Sequence, residues 1–415
     1  MAVVIACVWV ALAGLFTALM WLSTYVESEH MKENVRNSLQ LLVDEGEYYR
    51  YRVGGAMLQK DNFTDATMVS SSMPLPEGYG HMRGAFANPM PFDRSAGNTC
   101  ATRALAAIDD YNTGNMDTYS RYWCGFLVTL RPMLAMTDLN TIRIVDTVIL
   151  WLLALLTTVM VWRRIGGREA LFFIIAIMAV GFPVVPGVLQ YFTCFFLMML
   201  CSILVLAVNR KRLTGMFCGV VMFVTGAVTV YFDFLTTPVL TLGFPAIFIM
   251  LRRDALPDWR MLLLCVICWG LGYFGLWATK WVISPLVSGL DIMAEAVNAA
   301  HIRAGGISEA LMAGNAKEWT LLALFFMGLA AVLLSVIYVR RSVRVPQRVD
   351  SAMPFAVIAL IPFIWVLALQ NHSAVHYWFV WRILSLTIFS ILEFYNRTIY
   401  AKGREKDGSN HTVLQ

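Results

Sequence analysis

IVDTVILWLLALLTTVMVW, residues 144–162, runs directly into RRIGGR, residues 163–168. An apolar run of that length crosses a hydrocarbon core of roughly 30 Å as a helix. The arginines that close it mark its cytoplasmic end, because basic loops stay on that side. The same pairing recurs along the chain. Spans are expected at 2–23, 144–162, 169–182, 188–208, 215–231, 237–251, 260–283, 319–339, 353–369 and 376–395, about ten in all. Basic clusters follow every second span: Arg163, Arg164 and Arg168; Arg210, Lys211 and Arg212; Arg252, Arg253 and Arg260; Arg340, Arg341, Arg344 and Arg348; Arg397, Lys402, Arg404 and Lys406. An even count puts both termini in the cytoplasm and leaves 24–141 and 284–317 outside.

Composition agrees with this reading. Of 415 residues, 59% are hydrophobic and 14% charged, with a mean hydropathy of +0.65. A soluble domain carries about a quarter charged residues. The fold class expected is therefore an all-α polytopic protein of the inner or plasma membrane, with membrane lipids around it. It divides into a first transmembrane helix (1–23), an extracytoplasmic loop with interfacial helices (24–141), a transmembrane core (142–396) and a cytoplasmic tail (397–415). The first segment is longer than a signal-peptide core and has no basic residues before it, so it reads as a retained anchor. The net charge of +5 lies in loops that orient the chain, not in a patch for nucleic acid.

Six of the eight cysteines fall in spans: Cys7, Cys194, Cys201, Cys218, Cys265 and Cys268. Cys265 and Cys268 form a CxxC within an apolar helix, with no histidine or second CxxC nearby, and read as small hydrophobes. Cys100 and Cys124 lie in the external loop, where the compartment permits a disulfide; whether they are bonded is left open.

The loop holds 14 of the 27 acidic residues. Met31, Val35, Leu39, Leu42 and Val43 recur every three to four positions, which predicts an amphipathic helix able to lie flat at the interface. Residues 74–97, rich in Gly and Pro, read as loop. Residues 119–137 are aromatic and apolar and read as an interfacial or re-entrant helix leading into the second span.

Five clusters capable of chemistry fall on the external side. Asp61-Asn62-Phe63-Thr64-Asp65 places two carboxylates one helical turn apart, one to act as general base and the other to orient it; the bland alternative is a helix N-cap. Arg121, Trp123 and Arg131 suit phosphate, or else anchor the chain at the interface. Asp233, flanked by Phe232 and Phe234 at a span end, is costly unless used or paired to a neighbouring base. Lys280 lies late in an outward span and can neutralise a phosphate or Asp233. His372 and His376 stand four apart, with Arg382 beyond them inside the last span. They read as a phosphate or acceptor site. The chemistry requires no cofactor, although two histidines at this spacing can share a divalent cation. No further metal ligands accompany them.

The layout of one span, a long acidic external loop and then many spans resembles the GT-C superfamily of membrane glycosyltransferases. More locally the chain resembles a group of bacterial multi-pass proteins of unassigned activity through DNFTDA (61–66), RYWCGF (121–126), RP (131–132), YFDFLTTP (231–238), WATKW (277–281) and NHSAVHYWFVWR (371–382). Where this chain has Cys124 that group is expected to have His, which removes position 124 from a shared catalytic role and from a shared disulfide. The GT-C resemblance implies a sugar carried on a polyprenyl-phosphate donor and passed, with inversion, to an extracytoplasmic acceptor hydroxyl on a cell-envelope glycan or a protein. Asp65 or Asp61 is then the base, with Glu33 behind them, because the family's acidic motif usually lies nearer the first span. Arg131, Lys280, His376 and Arg382 are expected to gather around the donor phosphate, with Asp233, His372 and Trp123 lining the same site. A transporter or lipid flippase, a non-enzymatic subunit of a polysaccharide assembly pathway, and an acyltransferase are the alternatives.

Overall fold

A computed structural model describes residues 1–53, 56–111, 114–253, 259–304, 316–342 and 346–400. The expected tail beyond residue 400, with Lys402, Arg404 and Lys406, lies outside the described residues, as do 305–315 of the second expected external segment and Arg344. Among the described residues seven helical segments are long and apolar enough to cross a membrane: Ala2–Ser23, Leu139–Arg164, Leu189–Ala207, Gly215–Phe232, Trp259–Ser288, Val349–Ala368 and Tyr377–Thr398. The protein is thus a helical, membrane-embedded one. Backbone polar groups have no water to bond to in lipid, so each apolar run closes its hydrogen bonds within itself.

Two expected spans form shorter helices. Gly167–Ala179 ends where Gly181 takes a left-handed turn (φ 74°) into the 3-10 turn Phe182–Gly187. Val239–Arg252 begins just after Pro238, and from Val239 to Ile249 every residue is buried. It is the core of the bundle, shielded from lipid by its neighbours. The expected span at 319–339 falls within the helix Ala316–Ser342.

The closest helix pair is Gly215–Phe232 with Trp259–Ser288. A Cβ at Gly226 would lie 2.1 Å from the Trp269 carbonyl oxygen, and one at Gly272 2.0 Å from that of Phe223. Only glycine lets the two backbones approach this closely, the device of small residues at helix interfaces in lipid.

The long loop is a folded cap. Met31–Glu45 is the expected amphipathic helix, but its buried face of Met31, Val35, Leu39 and Leu42 packs on Asn62–Ser70, Cys100–Ala107, Leu127–Met136 and Leu139–Arg164 instead of lying on lipid. Residues 74–97 are not all loop: they hold the helix His81–Ala87 and the strand Pro89–Pro91, which pairs antiparallel with Met116–Thr118. A second ribbon pairs Arg50–Val53 with Ala56–Gln59, Arg50 opposite Gln59. Cys100 and Cys124 are both buried and free. Cys100 meets the Thr67 hydroxyl at 3.4 Å, and Cys124 points to the Tyr119 carbonyl at 3.6 Å.

Candidate functional site

A cavity of about 610 Å³ opens between the cap and the bundle. The cap contributes Tyr48, Asp61, Thr64, Thr67, Tyr119 and Arg121; the bundle side contributes Gln190, Phe234, His372, His376 and Trp378. Glu295 and Arg303 reach it from the helix Met293–Ala304. A smaller cavity of about 310 Å³ adjoins it, and Trp378 lines both.

Asp61 sits at the N-cap of Asn62–Ser70, so the bland reading of the sequence holds: its Oδ1 accepts from the Thr64 N–H at 3.1 Å. The cap does not use up the side chain. Its Oδ2 accepts from the Thr64 hydroxyl at 3.2 Å and from the Trp378 indole N–H at 3.4 Å, and the carboxylate lines the large cavity. It is 1% exposed, and among the described residues no lysine or arginine is paired with it. Burial raises its pKa above the usual aspartate range, with the Thr64 and Trp378 bonds pulling the other way.

Asp65 lines neither cavity. Its Oδ2 pairs with the Arg143 guanidinium at 3.0 Å. Arg143 also holds Glu45 at 3.0 Å and the Asn62 side-chain oxygen at 3.1 Å, while Lys60 reaches Glu45 at 2.7 Å. Burial lifts Asp65 to about 6, against the pull of Arg143. Burial also raises Glu45, but Arg143 and Lys60 outweigh it and leave that carboxyl below its ordinary value. This ionic cluster joins three helices of cap and bundle. Glu33, in the first turn of Met31–Glu45, is exposed and lines neither cavity.

The four cations expected around one phosphate do not meet, which corrects the reading of the sequence. Arg131 donates to the Ser23 hydroxyl at 3.1 Å and the Ser71 carbonyl at 3.2 Å, fastening the end of the first helix to the cap. The Lys280 ammonium donates to the Tyr122 carbonyl and lies 5.9 Å from the centre of the Phe86 ring. Neither lines either cavity. Arg382 lines the smaller one, donating to the Trp378 carbonyl at 2.8 Å with its guanidinium 4.2 Å from the Tyr191 ring centre. Only His376 lines the larger one. Arg131 and Lys280 are each met by carbonyls, a hydroxyl or a ring face away from both cavities, so no one anion is shared by all four.

Most of the other sequence clusters converge, but as scaffold. Trp123 is buried, its indole donating to the Leu276 carbonyl at 2.8 Å. Trp277 and Trp281 both donate to the Arg121 carbonyl, at 2.9 and 3.1 Å. The Gly125 N–H donates to the Tyr231 carbonyl at 2.7 Å, and a Cβ at Gly125 would lie 2.3 Å from the Tyr231 ring. The RYWCGF segment is thus clamped between YFDFLTTP and WATKW, which aims the Arg121 side chain into the cavity. Among the described residues Asp233 is not paired to a base. It accepts from the Thr236 N–H at 3.1 Å and from the Thr236 hydroxyl, closing a turn in which Leu235 is left-handed (φ 65°). The Leu235 carbonyl from that turn holds His372 Nε2 at 3.0 Å. Asp233 thus closes the turn whose carbonyl meets His372.

The two imidazoles lie 4.7 Å apart, and His376 Nδ1 is buried with no hydrogen-bond partner among the described residues. Burial drives His372 to about 3, helped by His376, and burial with Arg303 drives His376 to about 4, so both are neutral at pH 7. Among the described residues no three His, Cys, Asp or Glu side chains converge, so the pair has no closed ligand set for a divalent cation.

The sequence reading missed Glu295 and Arg303. Glu295 accepts from the Ser120 hydroxyl and pairs with Arg121 at 3.3 Å. Arg303 donates to its own helix at the Ala299 carbonyl, 3.3 Å away, and lies 5.5 Å from the Tyr122 ring centre; among the described residues it has no carboxylate partner. The signal available was Arg303 itself, a base in a segment expected outside, against the trend of the basic loops. No family model, curated protein or solved structure matches the chain.

Proposed function

We propose that this protein is a membrane glycosyltransferase of GT-C type. It takes a sugar from a polyprenyl-phosphate donor and passes it to an acceptor hydroxyl at the extracytoplasmic membrane boundary, with Asp61 as general base. The observation that supports the reading is a buried carboxylate that no lysine or arginine among the described residues pairs with, in a cavity that presents Arg303 and Arg121 elsewhere on its wall. A general base works best when its pKa approaches the working pH, and burial moves Asp61 that way.

In this reading Asp61 removes the proton of the acceptor hydroxyl as its oxygen attacks the anomeric carbon. The bond from that carbon to the phosphate oxygen breaks, and its electron pair leaves with the polyprenyl phosphate. Arg303, and Arg121 held by Glu295, supply fixed positive charge where negative charge grows, which is the form of stabilisation that lowers the barrier. Inversion follows from a single displacement. Trp378 holds Asp61 from the side of the smaller cavity. The transport and assembly-subunit alternatives need no such base.

The test uses protein in lipid nanodiscs with a radiolabelled polyprenyl-phosphate sugar, reading release of the lipid phosphate and label on the acceptor. Asp61→Asn removes the base and keeps the helix cap, since asparagine caps as well as aspartate. Transfer lost in that variant at unchanged thermal stability supports the reading. Equal transfer by both proteins, or none by the wild type across donors, would sink it. The topology on which it rests is checked by cysteine labelling at Ser95 and Gly166, which must react from opposite sides.

A further inference from the structure

The smaller cavity has a chemistry of its own. Two of the residues lining it are arginines, Arg50 and Arg382, and none is a carboxylate. Three are aromatic: Tyr377, Trp378 and Trp381, all half-buried. Gln59 adds an amide, and Leu58 is the one aliphatic residue. The polar groups are built in. Arg50 faces Gln59 across the two-stranded ribbon and donates to its Oε1 at 2.9 Å. Arg382 is 1% exposed, and Trp381 and Arg382 both donate to the Trp378 carbonyl, at 3.0 and 2.8 Å. That last turn fixes where both the guanidinium and the indole faces stand.

An unbalanced pair of guanidinium groups attracts an anion and can bind a carboxylate in bidentate fashion. Flat indole and phenol faces favour a ring with a C–H face, and an amide beside them favours hydroxyls. A polyprenyl chain would want aliphatic walls, and this cavity offers only Leu58. At about 310 Å³ it lies at the small end of the roughly 300–1,000 Å³ range of ligand sites. That suits one sugar ring with its substituents. Trp378, shared with the large cavity, separates it from Asp61 by a single side chain.

We propose that the smaller cavity is an acceptor subsite for an anion-bearing sugar ring, so that the acceptor is an acidic glycan. This rests on the transferase reading and deepens it. An acidic ring seated against Trp381 and Arg382 leaves the neighbouring ring to pass Trp378 and offer its hydroxyl to Asp61.

The test is calorimetric titration of nanodisc protein with a glucuronate-terminated disaccharide, the matching glucose-terminated disaccharide, inorganic phosphate and a short-chain polyprenyl phosphate. The acidic disaccharide should bind about tenfold more tightly than the neutral one, the worth of a hydrogen bond to a charged group. Arg50→Ala, at an exposed position that folding does not need, should erase most of that preference, and Arg382→Lys should weaken it. Asp61→Asn should leave it intact, because binding does not use the base. Equal binding of the two disaccharides overturns the inference. So does tight binding of polyprenyl phosphate that is lost in Arg50→Ala, since the cavity would then be a lipid-phosphate site. Discrimination without any transfer keeps the glycan site and removes the transferase reading; transfer without discrimination does the reverse.

Discussion

Asp61 meets a threonine and an indole at the edge of a cavity, whereas Asp65, one turn along the same helix, meets Arg143 in a closed ionic cluster. Burial raises the pKa of both. What separates them is the partner. A carboxylate held by a cation joins elements and is spent in doing so. A carboxylate held only by neutral donors keeps its affinity for a proton and remains able to react. The same division runs through the arginines. Arg143 and Arg131 fasten cap to bundle, while Arg303 stands at the cavity with no carboxylate among the described residues.

The largest expected effect sharpens this contrast. Asp61→Asn should lower the transfer rate about 10²–10⁴-fold, the usual loss for a general base, with the melting temperature in nanodiscs nearly unchanged. Asp65→Ala should do the converse, costing about 3 kcal/mol of stability because Arg143 is left buried and half-paired. The cost stays at the low end since Glu45 still holds Arg143. Thermal unfolding of both variants side by side breaks the comparison if Asp65→Ala melts like wild type.

Arg303→Ala comes next. Loss of its side chain is expected to lower the transfer rate about 10- to 150-fold, since a charge-assisted contact to the leaving phosphate is worth about 1.5–3 kcal/mol. Steady-state kinetics with varied donor should show the loss in kcat as well as KM. A change in KM alone would place Arg303 in binding and not in the developing charge.

The smallest effect is on pH dependence. Asp61 must be ionised to act, and its raised pKa favours the protonated form. The rate should therefore fall as pH falls, along a limb centred above the ordinary aspartate value of about 3.9. The Trp378 N–H bond stabilises the ionised form, so Trp378→Phe should move that limb to higher pH. A limb that stays in place in this variant would mean the indole bond is too weak to matter.

How much was legible follows from particular residues. The amphipathic helix Met31–Glu45 was readable because its periodicity is dictated by burial, but not what it packs against. Asp61 was readable as a cap and as a candidate base from residue type alone. Spacing put Asp61 and Asp65 on one face. Asp61, however, is the cap (φ −120°, ψ 76°) and lies outside the helical geometry, so its side chain departs from that face. Arg131, Lys280 and Arg382 were readable as expensive charges near the membrane. Depth along a span does not tell how a helix is turned about its axis, so their separation was not readable.

The sequence by itself determined the membrane helices, because hydrocarbon leaves the backbone no partner but itself, and apolar runs of span length report that constraint residue by residue. It also determined turn signals that bound them: Gly181 follows one helix and Pro238 precedes another. Only the tertiary structure decided which polar groups share a space. That depends on helix rotation, on the backbone contacts allowed by Gly226 and Gly272, and on the clamp that holds Arg121 between two distant segments. The glycine contacts join residues more than forty positions apart and the clamp residues more than a hundred apart, and no local pattern encodes either.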